Sequence, residues 1–323
     1  MRIDVHAHYF PDEYVNYIAR ILGSEAADPG RRAPGSHLNL DERFALMDGA
    51  GIDMQVLSAS ALHPYTEDRD AAVTGARMAN DLYDDVCRRY PARFAAFGAV
   101  PLPHVDAALA EVERCLDRLG FVGITTGCSV AGRPLDAPAF EPFWAELDRR
   151  GCVLFLHPMG MGFGGELADY NLDWMIGAVF EDSVAAMRLV LSGITTRYPN
   201  IRVIVPHLGG TLPFVMGRIG HNTASQRAQA GRPAVHFEGT LRENLRRLWY
   251  DTVNHEPTAL ACARAAFGAN RLLLGTDFPY AIGDRFRGCV QYVEGAGLAA
   301  AETEAILGGT AQAMLGLGDA RGA

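Results

Sequence analysis

Residues 153–157 read VLFLH, four apolar residues and then a histidine. A run this short, apolar along its whole length, fits a parallel strand covered on both faces. Seven other runs share the form: Arg2–His8 (RIDVHAH), Gln55–Ser60 (QVLSAS), Phe94–Val100 (FAAFGAV), Gly120–Thr126 (GFVGITT), Arg202–His207 (RVIVPH), Leu248–Val253 (LWYDTV) and Arg271–Asp277 (RLLLGTD). Segments with helical spacing lie between them: Leu40–Ala50 with Asn39 as its cap, Asp70–Tyr90, Val105–Leu119, Pro138–Arg150, Ser183–Gly193, Leu212–His221, Thr258–Phe267 and Ala301–Met314. Eight strand–helix units in 323 residues predict a (β/α)8 TIM-like barrel. A doubly wound open sheet is the alternative, but it calls for a glycine-rich phosphate turn after an early strand, and the sequence has none.

The chain reads as a single barrel domain over residues 1–323. Two stretches break the rhythm, at about 23–39 (GSEAADPGRRAPGSHLN) and 158–182 (PMGMGFGGELADYNLDWMIGAVFED). Both follow strands, so they read as loop insertions on the face where barrels build their sites. The tail Gly316–Ala323 is expected to fray.

A net charge of −9 argues against nucleic acid or an anionic membrane as the main partner. No run of about 18 apolar residues is present, so no transmembrane helix is expected, and the first residues carry no secretory pattern. The six cysteines are scattered without a C-x-x-C pair, which predicts reduced thiols and a cytoplasmic protein. All 29 Lys and Arg residues are arginine. Schiff-base chemistry, a P-loop and a carbamylated lysine bridging two metals are therefore excluded.

In a barrel the C-terminal strand ends converge on one mouth. Here they carry His6-Ala7-His8, His157-Pro158, His207-Leu208-Gly209-Gly210 and Asp277-Phe278-Pro279. Strand residues two apart point the same way, so His6 and His8 share a side. Imidazole and carboxylate together suit one divalent ion in an open, catalytic type of site. A metal-bound water of lowered pKa can then serve as acid or base near neutral pH. Taken singly, each residue has a plainer role: His157 in a loop, Asp277 as a helix cap, His207 in the core. Four strand ends carrying such residues together point to function. Asp251, inside the seventh strand, is either a buried structural carboxylate or a residue that orients a ligand or His207. His255, just past that strand, is the remaining histidine near the mouth.

With those residues in view, the chain resembles the amidohydrolase superfamily, in the branch of aminocarboxymuconate semialdehyde and resorcylate-type decarboxylases. The resemblance rests on IDVHAHYFP, ERFALMDGAGIDMQVLSAS, FLHP, PHLGGTLPFVMGRI and LLLGTDFPY, in order from residue 3 to residue 280. It implies that His6, His8, His157 and Asp277 are metal ligands, with zinc the usual ion and manganese the alternative. His-Ala-His, where some relatives carry a glutamate at the second position, favours zinc. It implies that His207 is the catalytic histidine, acting with Asp277, and that Arg218 crosses a homodimer interface to hold a substrate carboxylate. An arginine in the loop after strand one, Arg31 or Arg32, would assist. Phe10, Trp174, Phe278 and Tyr280 are aromatic candidates for stacking on a planar substrate, although such residues also pack cores.

The implied activity is that of a carbon–carbon lyase, a metal-dependent non-oxidative decarboxylase of an aromatic or muconate-like carboxylic acid. The metal-bound water and His207 would deliver the proton before CO2 leaves. A hydrolase acting on a lactone, amide or carbon–carbon bond, or a hydratase, could use the same apparatus.

Overall fold

The computed structural model describes residues 1–160, 167–226 and 235–318. Eight parallel strands follow one another around a barrel: β1 Ile3–His8, β2 Met54–Ser58, β3 Phe94–Ala99, β4 Gly123–Gly127, β5 Val153–His157, β6 Arg202–Val205, β7 Trp249–Asp251 and β8 Leu272–Leu273. Each pairs in parallel with the next in sequence. The last meets the first through backbone bonds Val5 N–Leu274 O (2.9 Å), Asp277 N–His6 O (2.8 Å) and His8 N–Phe278 O (2.7 Å). Sequential order and closure select the barrel over the open sheet.

The strands form here because their residues are buried on both faces, as the apolar runs predicted. Inward-facing Ile3, Val5, Met54, Val56, Phe97, Val153, Phe155, Ile204 and Leu273 fill the interior. Ala311, Met314 and Leu315 from the last helix join that cluster. The Met314 carbonyl accepts from Arg202 at the start of β6 (2.5 Å), so this helix closes the end of the barrel opposite the strand C-termini. Outward-facing residues pack beneath the surrounding helices in a second, larger core.

Local signals place several helices. Leu40–Ala50 starts with a reciprocal Asn39–Glu42 capping box and stops at Gly51, whose φ of +69° needs no Cβ penalty. Asp68 caps Arg69–Arg89.

Several boundaries differ from expectation. Residues 23–39 are not one long loop after β1. A helix, Asp12–Leu22, comes first, and helical turns follow at Glu25–Ala27 and Asp28–Arg32. Pro29 sits in the first turn, where its missing N–H costs nothing. Gly30 lets that turn lie against Leu62, Val15 and Phe10, so a glycine that looked like a loop signal serves a close approach. In the second insertion, residues 161–166 lie outside the described residues. The helix expected from Ser183 already begins at Ala178, after helical turns at Asp169–Asn171 and Asp173–Gly177. The Val105–Leu119 helix is α-helical to Glu113 and widens to a π-turn over Arg114–Arg118. Strand eight keeps only two ladder residues, and beyond it Asp277 turns out at φ +61°. A short antiparallel ribbon, Ser129–Val130 with Arg133–Pro134, had no sequence signal. Of the tail, residues 319–323 lie outside the described residues.

Candidate metal centre

His6, His8, His157 and Asp277 meet at the C-terminal mouth of the barrel. Each offers one ligand atom, and these atoms all lie within 4.8 Å of one another. Bonds of about 2.0–2.2 Å on either side of one ion span at most about 4.0–4.4 Å, so the separation is close to what a single divalent ion needs. The His-x-His pair arises on β1, whose register shifts between Asp4 and Ala7; such irregularities re-aim side chains.

Every imidazole is fixed through Nδ1. Asp251 Oδ2 holds His6 at 2.6 Å, Ser58 Oγ holds His8 at 2.9 Å, and the Pro158 carbonyl holds His157 at 2.8 Å. All three Nε2 atoms are left for the centre. His6 Nε2 and His8 Nε2 each stand 3.2 Å from Asp277 Oδ1. His157 Nε2 is shielded from solvent without a hydrogen-bond partner. Leaving a buried nitrogen unpaired costs about 1–3 kcal/mol, and an ion at the centre would remove that cost. The donor set therefore fits one divalent ion.

Electrostatics agree. Burial pushes His8 down to about 4 and His157 well below its ordinary pKa, so both are the neutral imidazoles a cation requires. Burial opposes charge on Asp277 too, but His6 and His8 hold its carboxyl well below the usual range. For His6, burial is outweighed by Asp251 and Asp277, which raise it to about 10; a cation at Nε2 would take the place of that proton.

His207 stands beside this cluster, with its ring 5.3 Å from that of His6 and 6.1 Å from that of His157. The turn after β6 puts His207 at φ +52° and Leu208 at +55°. Such conformations cost of order 1–3 kcal/mol and persist where surrounding contacts enforce them. Two carboxylates enforce this one. Asp251 Oδ1 accepts from the His207 amide at 2.9 Å, and Asp182 Oδ2 accepts from its Nδ1 at 2.8 Å. Burial disfavours the imidazolium, but Asp182 prevails and raises the His207 pKa. The His207 side chain is 15 % exposed whereas those of His6 and His8 are closed, so it faces the open side of the centre.

Both readings of Asp251 are realised in one group: it is fully buried and bonds His6, His207 and the Val253 amide together. Sequence reasoning missed Ser58, Asp182 and Asp4. Buried Asp4 accepts from the His6 amide, Gln55, and both the amide and hydroxyl of Thr276, tying β1 to β8 below the ligands. Arg43 extends this network from Gln55 to the His8 carbonyl. The one available sequence signal was a charged or polar residue inside each of two strands that otherwise read as buried.

The Phe10 ring stacks on His8 at 5.5 Å, and the Tyr280 ring meets His8 edge-on at 5.9 Å. Trp174 packs on Gly160, where any side chain would collide with its indole. Phe278 is buried between Arg43 and Phe286, behind the centre. Arg218 is exposed on the helix Leu212–Gln226. Arg31 bonds Ser24 and Asn16, and Arg32 pairs with Asp28. His255 lies against Cys289 and is not among the clustered ligands.

The chain matches the amidohydrolase family model over residues 3–317 and belongs to that family. It is 31% identical over 279 residues to 2-amino-3-carboxymuconate-6-semialdehyde decarboxylase of Dictyostelium discoideum, covering 86% of this chain and 76% of that protein. It is 35% identical over 255 residues to γ-resorcylate decarboxylase of Rhizobium radiobacter, covering 74% and 76%. Among solved structures, a dihydroxybenzoic acid decarboxylase from Polaromonas, with bound manganese and the inhibitor 2-nitroresorcinol, superposes with a TM-score of 0.81 at 26% identity, covering 98% of this chain and 97% of that one. The expected kinship with the decarboxylase branch is thus borne out.

Proposed function

We propose that this chain is a metal-dependent carboxy-lyase that removes CO2, without oxidation, from an aromatic or conjugated carboxylic acid. The observation that carries the reading is a one-ion donor set with His207 held at its open side, in a chain whose relatives at 31–35% identity are decarboxylases. Two of the imidazoles are neutral by burial. When bound, the ion would supply Lewis-acid stabilisation of negative charge developing on the substrate. Three imidazoles and one carboxylate favour zinc, with manganese the alternative given the Polaromonas structure.

His207 does the proton work. Its Nδ1–H is committed to Asp182, so in the imidazolium, which Asp182 favours, the Nε2–H faces the reaction and delivers its proton to the carbon bearing the carboxylate. Heterolysis of the bond to the carboxyl carbon then returns its electron pair to the ring or conjugated chain as CO2 leaves. Phe10 and Trp174 supply apolar walls. Arg218 of the partner subunit neutralises the substrate carboxylate. Support for a homodimer comes from the exposed apolar face around Arg218. Phe214 is 88 % exposed one turn before it, and Met175, Ile176 and Val184 are exposed on the neighbouring helical segment. Ser183 and Thr211 bond those two segments together.

All six cysteines are free, which supports a reducing compartment such as the cytoplasm. Among the described residues no helix is long and apolar enough to cross a membrane. The whole chain is read as one barrel domain.

The test is CO2 release from a panel of hydroxybenzoic and muconate-type acids by the metal-loaded protein. Release with stoichiometric decarboxylated product supports the reading. Inertness toward all of them, with turnover of lactones or esters, would replace it with hydrolysis.

A further inference from the structure

Asp182 is a buried carboxylate on a helix outside the barrel, and nothing in the metal cluster needs it. It lies in the second turn of the helix Ala178–Leu191, at 0 % exposure. Oδ2 accepts from His207 Nδ1 at 2.8 Å, and Oδ1 receives the Cys128 thiol at 3.5 Å. A carboxylate in such a place has lost its water, a penalty that partners must offset. The neighbouring residues of the same turn are committed elsewhere: Glu181 takes the Met159 amide and Ser183 takes Thr211. Asp182 alone is turned to the catalytic histidine.

We infer that Asp182 is the positioning residue of a buried Asp–His pair, setting the tautomer and orientation of His207 for proton transfer. An ionised carboxylate has only acceptors, so the hydrogen must sit on Nδ1. Nε2 is then the sole site for giving or taking a proton. The arrangement has two anchors from different elements. Asp251 holds the His207 backbone through its amide, and Asp182 holds the ring. Without the second anchor the ring is free to turn about a backbone already fixed in the left-handed region, and either nitrogen can carry the hydrogen. Asp182 also follows closely the segment bearing Trp174, so the substrate wall and the histidine's orientation depend on one helix start. The inference rests on the proposed role of His207, and the test separates the two.

Three variants are measured with metal content and thermal stability recorded for each: Asp182→Asn, Asp182→Glu and Asp182→Ala. The expectation is a fall in kcat of about a hundredfold to ten-thousandfold for Asn and Ala, by analogy with general acid–base and tautomer-locking carboxylates elsewhere. KM should change by less than about threefold and metal content should stay that of wild type. Asp182→Glu should recover part of kcat, which a mere helix anchor would not predict. In a His207→Ala background, Asp182→Asn should cost nothing further, because the two act as a unit. Independently of turnover, 15N–1H spectra of the imidazoles, recorded at a pH where His207 is neutral, should show the Nδ1–H tautomer in wild type and lose that preference in Asp182→Ala. If Asp182→Asn, folded and metal-loaded, keeps kcat within threefold of wild type, or the tautomer is unchanged in Asp182→Ala, the inference is overturned. If His207→Ala itself turns over normally, the role of His207 is what fails, and the spectra still decide the pairing.

Discussion

Asp251 touches both halves of the site: its Oδ2 sits 2.6 Å from His6 Nδ1, and its Oδ1 accepts from the His207 amide at 2.9 Å. A metal-facing histidine and the proposed proton donor are thus held by the two oxygens of one carboxylate. Asp251→Asn replaces one acceptor with a donor, so both bonds cannot survive together. Outer partners of ligating histidines are worth about ten- to a hundredfold in metal affinity. Asp251→Asn should weaken metal binding by that factor and lower kcat as well, measured by competition with a chromophoric chelator and by initial rates. Wild-type affinity would show that His6 does not need this partner.

His6 and His207 should separate when each is removed. His6→Ala takes away one of four ligands and should leave the purified protein with well below one metal ion per chain and no turnover. His207→Ala should retain about one ion per chain and lose turnover by at least about a hundredfold. Elemental analysis beside a rate assay reads both. Normal turnover in His207→Ala would remove it from the mechanism.

Metal binding should also show as stability. A ligand present at about a hundred times its Kd adds roughly 2.7 kcal/mol to the folded state. Stripping the ion with a chelator should lower Tm, and restoring zinc or manganese should return it. A Tm indifferent to chelation would mean that the cluster holds no ion in solution.

Gly123 tests the barrel itself. It starts β4 facing inward, and a side chain there would collide with the Val153 carbonyl and press on Phe97. Gly123→Ala should destabilise the fold by about 1–3 kcal/mol, the usual cost of overpacking a filled interior. Thermal melts check it, and an unchanged Tm would mean that the interior yields more easily than its packing indicates.

Arg218 should act across subunits. Mixed dimers of Arg218→Ala with His6→Ala contain one site with both an intact metal centre and an intact partner arginine. Such heterodimers should regain up to about half of the wild-type rate per dimer, an expectation from counting sites in a closed twofold dimer. No gain in isolated heterodimers would confine Arg218 to its own chain's surface.

The sequence made the centre legible because its ligands stand at strand ends. His6, His8, His157 and Asp277 each close a run whose period already marked it as a strand, and barrel geometry gathers such ends. Asp182 and Ser58 were not legible for the opposite reason. One lies inside a helix and the other inside a strand, and their value comes from partners 25 and 50 residues away in sequence. Asp251 was visible as a charge within a buried strand, but only the fold shows that it serves two histidines. The helix Asp12–Leu22 carried a fair signal, with acidic residues in its first turn and Tyr14, Val15 and Ile18 on its buried side. It was lost beside the glycines and prolines that follow it. Those residues allow tight turns to pack, and composition alone does not distinguish that from a loop.

The central claim is that one divalent ion, held by these four residues, is required for CO2 release. Metal-free protein titrated with zinc or manganese, while CO2 from a hydroxybenzoic acid substrate is followed, tests it most directly. The account predicts a rate that rises linearly and levels off at one ion per chain. CO2 release by the metal-free protein, or a rise that continues to two ions per chain, would contradict it.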